Sequence, residues 1–159
     1  MKALRFFWLF AIIGAVATVF VGCELIDYKY SLDQNIDNIE KVEIHLYDYK
    51  SDSSSFVTEM EPEAAKALLA EITSLTCHKS FGDPIEDYGF VVLYIRYSNG
   101  EAEVLGRLNS ASVDSNGKYR KKDCYFNGVE WCSTVLKYVD PELVPELVED
   151  LELCESVYR

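Results

Sequence analysis

The chain has 159 residues, 27 acidic against 15 basic, for a net charge of −12. That length suits one ordinary domain with a real core, and the acid excess repels nucleic acid and anionic head groups. No C-x-x-C occurs and the two histidines, His45 and His78, stand far apart, so no zinc site and no cofactor are expected.

Lys2 and Arg5 open the chain, and an uncharged run then extends from Phe6 to Cys23, ending Phe20-Val21-Gly22-Cys23. A basic start, an apolar stretch and a small residue before a cysteine resemble a bacterial lipoprotein signal peptide. The resemblance implies that Cys23 is the lipidation site, carrying a diacylglyceryl thioether after cleavage in front of it. Two or more acyl chains hold a protein stably on a bilayer. A second reading stays open. The 18 residues from Phe6 to Cys23 make a helix of about 27 Å, close to the roughly 30 Å of a bilayer core, so the segment could remain as an uncleaved span. Either way the basic end stays in the cytoplasm and the rest lies outside. The expected division is 1–22 as lipoprotein signal peptide or membrane anchor, 23–39 as a tether, and 40–159 as a single extracytoplasmic domain. Thirteen of the 15 bases and all 27 acids lie beyond residue 22, a net charge of −14 for the outer part.

In the tether, Tyr28 and Tyr30 are placed to rest at the membrane interface. From Lys41 to Tyr49 the residues alternate: Val42, Ile44 and Leu46 on one side, Glu43, His45 and Tyr47 on the other. That period of two marks a half-buried strand. Lys50 to Ser55 has loop composition, and Phe56–Met60 returns as a hairpin partner. Pro62 suits the first turn of a helix, and Ala65, Leu68, Leu69, Ile72 and Leu75 give it one apolar face. Phe81-Gly82-Asp83-Pro84 reads as a loop. Tyr88–Tyr97 has no polar face over Phe90–Ile95 and should be a central strand. Asn99-Gly100 is a hairpin signal, returning through Glu101–Leu108. Ser110–Gly117 reads as a polar loop, and Tyr119–Phe126 as one further strand. Asn127 can cap the next helix with Glu130 three residues on, and Cys132, Val135, Leu136 and Val139 form its buried face. Asp140-Pro141 ends it. A last helix aligns Leu143, Leu147, Leu151 and Cys154. The expected fold is α+β: a mainly antiparallel sheet of about five strands with two to three helices on one face, preceded by the N-terminal hydrophobic helix.

Phe81 to Pro84, Ile95 to Gly100 and Tyr125 to Tyr138 together resemble a group of small exported proteins of Gram-positive gut bacteria, over roughly residues 40–139. These shared motifs are turn chemistry. The resemblance implies fold and location but no activity.

Beyond the anchor, Cys77, Cys124, Cys132 and Cys154 are disulfide candidates, with three connectivities open. Asp83, Glu86 and Asp87 supply hard oxygen atoms that suit calcium, yet the order of an EF-hand loop and its glycine are missing, and a solvated turn explains them. Cys77 and His78 are sequence neighbours, which point to opposite faces of a strand, so they do not form a nucleophilic pair there. Ser53–Ser55 lack a Gly-x-Ser-x-Gly context. Arg120-Lys121-Lys122 suits a strand edge, where cations discourage pairing with a neighbouring chain. No catalytic and no metal-binding residue is nominated. Eleven tyrosines remain, and on an open sheet face they would form a platform for a protein or a small ligand. The functional expectation is a non-catalytic, membrane-anchored outer lipoprotein with such a binding face, held at the cell membrane through lipid on Cys23 and taking no nucleic acid. The alternative is a single-pass membrane protein with a structural or sensory outer domain.

Overall fold

A computed structural model describes residues 27–48, 51, 53–78, 90–108, 110–122 and 124–157. The expected signal helix with Cys23, and the loop acids Asp83, Glu86 and Asp87, lie outside the described residues. In chain order the elements are β1 (Asp27–Lys29), β2 (Ile39–Asp48), β3 (Ser53–Glu59), α1 (Pro62–Ile72), β4 (Thr76–His78), β5 (Phe90–Tyr97), β6 (Ala102–Leu105), β7 (Ser110–Val113), β8 (Tyr119–Lys122), β9 (Tyr125–Phe126), α2 (Gly128–Leu136) and α3 (Pro145–Val157). Short 3-10 turns at Ile36–Asn38 and Pro141–Leu143 precede β2 and α3.

The fold is α+β and its strands pair antiparallel, as expected, but they form two sheets instead of one. The larger has six strands in the order β3-β2-β5-β6-β7-β8, and the smaller has three in the order β1-β4-β9. Strand β5 is central, between β2 and β6. The Asn99-Gly100 turn joins β5 to β6, with Gly100 at φ +83°, a left-handed conformation that costs glycine little.

Three expectations need correction. Residues 110–113 were expected in a loop and instead form β7. Their inward positions are Ser110 and Ser112, which are buried without being apolar, so the usual hydrophobic alternation is masked. Residues 119–126 do not form one strand. The chain leaves the large sheet after Lys122 and enters the small one at Tyr125, carrying Cys124 and Phe126 into the core. Finally, residues 27–39 pack within the domain. Strand β1 pairs with β4, and Tyr30, expected at a membrane interface, is 3% exposed.

One core unites the sheets and helices. Val42, Ile44, Leu93, Ile95 and Leu105 from the large sheet meet Leu68, Leu69 and Ile72 of α1, Trp131, Cys132 and Val135 of α2, and Leu147 of α3. Phe126 stacks on Trp131 with ring centroids 5.0 Å apart. Helix α1 begins with Pro at its first position, where the missing N–H costs nothing. Helix α2 is capped by Asn127 Oδ1, which accepts from the N–H groups of Val129 at 2.9 Å and Glu130 at 3.2 Å. Glu71 ties α1 to the end of α2: it accepts from Lys137 Nζ and, at 3.0 Å, from the Tyr138 hydroxyl. Where α2 meets α3, Gly128 makes room for a neighbour. A Cβ there would lie 2.4 Å from Cys154 Sγ.

Candidate functional site

The large sheet has two unlike faces. Alternation sends Val42 and Ile44 of β2, and Val91, Leu93, Ile95 and Tyr97 of β5, into the core. It sends Glu43, His45 and Tyr47, with Val92, Tyr94 and Arg96, to the other side. On β3 a register shift between Ile44 and His45 brings Phe56 directly opposite His45. A bulge of this kind re-aims side chains, and here it lines up three rings. The His45 and Tyr94 centroids are 4.2 Å apart, and His45 meets Phe56 edge-on at 5.7 Å. The Tyr94 hydroxyl lies 3.1 Å from Ser54 Oγ. Phe56 is 58% exposed.

Beside the rings sits a charged group. Glu43 receives Lys41 Nζ at 2.7 Å on Oε1, while Arg96 Nη2 lies 3.6 Å from Oε2. The hydrogen bond from Lys41 holds the Glu43 carboxyl below its ordinary 4.5, against a smaller opposing effect of burial. His45 Nε2 stands 3.5 Å from Glu43 Oε2, outside hydrogen-bond geometry, and Nδ1 has no partner among the described residues. Further across the same face, strand pairing places Val113 beside Ala102 and Tyr119 beside Val113. Both Val113 and Tyr119 are exposed. The face is therefore an aromatic ridge at one end, a charged group at its middle and apolar positions toward the β8 edge.

The opposite face hides a different carboxyl. Glu103 is 1% exposed. It accepts from the Tyr30 hydroxyl on Oε1 and from the Tyr97 hydroxyl on Oε2 at 2.8 Å, with the Asp33 N–H also on Oε2 at 3.1 Å. Burial, then the Glu103 charge, pushes both tyrosine hydroxyls well above their ordinary 10.0. Next to this cluster is a cleft of about 190 Å³, bordered by Gln34, Tyr97, Glu101, Asp114, Lys118 and Arg120. Its charges are mixed, and Glu101 is engaged by Gln34 Nε2 at 2.5 Å. Sequence reasoning missed Glu103. Its signal was a lone acid two positions before Leu105, on the inward side of a strand.

His78 and Cys77 do point to opposite sides of β4. His78 Nδ1 meets Asp27 Oδ1 at 2.6 Å, and Cys77 is fully buried against Cys124. Arg120 and the two lysines after it lie on β8, the edge strand. Among the described residues no three His, Cys, Asp or Glu side chains converge to hold a metal ion. Nor is any described helix long and apolar enough to cross a membrane. Comparison with protein-family models, curated proteins and solved structures gave no match.

Proposed function

We propose that this chain is a membrane-anchored extracytoplasmic lipoprotein whose domain binds a protein or small ligand through the outward face of its large sheet, without chemistry of its own. The observation that carries the binding reading is the Phe56–His45–Tyr94 ridge, with Arg96 and Lys41 beside it. Aromatic surfaces stack on apolar ring faces and side chains, and a neighbouring cation fixes orientation through hydroxyl or carboxylate partners. The anchoring reading is supported by Lys2 and Arg5, the uncharged run to Val21 and Gly22-Cys23.

The binding test uses full-length protein in detergent, immobilised and presented with cell-surface extracts. Partners retained by the wild type should be lost, by roughly tenfold or more, from a Phe56→Ala, Tyr94→Ala variant. Equal recovery would remove the face from consideration. The anchoring test is intact mass spectrometry of the membrane fraction. A mature chain starting at an acylated Cys23 supports the lipoprotein, and a full-length mass without lipid refutes it. The length of the uncharged run favours a second reading, an uncleaved single-pass protein with a structural or sensory outer domain. Cys23→Ser separates the two: precursor accumulation or release belongs to the lipoprotein, and unchanged membrane retention belongs to the span.

A further inference from the structure

Four cysteines beyond residue 23 allow three ways of forming two bridges, and their placement in the fold distinguishes among these. Strands β4 and β9 are adjacent and antiparallel, with Cys77 opposite Phe126. Cys124 precedes Phe126 by two residues, so it shares the face of Phe126 and of Cys77. Both cysteines are buried, at 0% and 1% exposure, within the same core, close enough that each thiol acts on the other's proton affinity. The other two lie elsewhere. Cys132 is on α2, and Cys154 on α3 packs over Gly128 with Arg107 Nη1 3.2 Å from its sulfur.

We infer that Cys77 and Cys124 are a built redox pair that closes to a disulfide joining β4 to β9 in an oxidising environment. The oxidant is a small-molecule or protein disulfide. The thiolate of one cysteine attacks one of its sulfurs and expels one thiol, giving a mixed disulfide. The other cysteine then loses its proton, displaces the second thiol and completes the bridge. Two cysteine thiols and one external disulfide thus become one internal disulfide and two external thiols. Both are free thiols in the structure, and closing to a bond of about 2.05 Å takes side-chain rotation. Because both sulfurs are buried, the exchange belongs to folding or to local opening. The pairing itself does not depend on the anchoring reading, which supplies only the compartment where the oxidant is found.

The test oxidises full-length protein in detergent with a glutathione buffer, quenches by alkylation and maps peptides without reduction. Cleavage after Lys122 and after Glu130 separates Cys124 from Cys132. A crosslinked peptide joining Cys77 to Cys124 is expected, retained at a roughly tenfold excess of reduced over oxidised glutathione. It should be unaffected in a Cys132→Ser, Cys154→Ser variant and absent from Cys77→Ser. Alkylation of both thiols, or a bridge from either to a different cysteine, would overturn the inference. If the bridge forms in the buffer but both thiols are free in protein alkylated directly in cells, the extracytoplasmic placement fails and the pairing stands.

Discussion

Two glutamates on opposite faces of one sheet are both largely withdrawn from water, yet they are held by opposite means. Glu103 faces the core and is met by neutral donors, two tyrosine hydroxyls and a backbone N–H. Glu43 faces outward and is met by cations, Lys41 and Arg96. The difference follows from where water is. Inside, a lysine or arginine would bring its own desolvation cost, whereas tyrosine brings a donor on a large apolar body. Outside, long cationic side chains keep their heads wet while their stems cover the sheet. The inner arrangement is specific and costly to disturb. The outer one is adjustable, as suits the binding surface proposed above.

The sharpest way to break this contrast is Glu103→Ala. It takes the acceptor from two buried hydroxyl donors and leaves a cavity, and should cost about 4 kcal/mol of stability by urea denaturation. A loss under about 1 kcal/mol would mean that water replaces the carboxyl and the cluster is not closed. Tyr30→Phe and Tyr97→Phe each remove one donor and should cost about 1 kcal/mol. The same hydroxyls set an alkaline limit. Their folded values are raised above the ordinary 10.0, so their contribution is whole below about 10 and falls as pH rises beyond it, where only the unfolded chain ionises. Phenolate absorbance during alkaline titration should show these two tyrosines ionising together with unfolding.

On the outer face, Glu43→Gln should cost less than about 1 kcal/mol, and the loss should shrink in high salt. Because the folded Glu43 value is lowered from 4.5, its contribution is present above that value and is lost as pH falls through the folded one. The variant should therefore lose part of the acid dependence seen in the wild type below about pH 4.5. Smallest of all is the effect of Phe56→Ala on stability. The side chain is mostly in water, so the midpoint should move by no more than about 0.5 kcal/mol, while partner capture falls as proposed.

Much of the fold was legible because it is written locally. The Asn127 cap, Pro62 at a helix start, the Asn99-Gly100 turn and the alternation of β2 all depend on neighbours within a few residues. What was hidden depends on contacts across the chain. The three residues of β1 are two charges around a tyrosine, and nothing in them predicts pairing with Thr76–His78. Strand β7 was hidden because Ser110 and Ser112 occupy inward positions beside a buried carboxyl, where apolar residues are the usual sign. The outward face was half legible. Alternation placed His45 and Tyr47 on it, but the meeting of His45 with Phe56 depends on a bulge that no local pattern announces. That Cys77 and Cys124 share a buried face depends on 119–126 dividing between two sheets.

The early start of β1 limits how far the domain can stray. With attachment at Cys23, only residues 24–26 separate the bilayer from Asp27, and that much chain reaches at most about 14 Å when fully extended. An acidic body on so short a leash would ride just above the head groups. Under that proposed attachment, binders would reach the sheet from the side or from above, and lateral travel in the membrane, more than any swing of the domain, would decide which ones it meets.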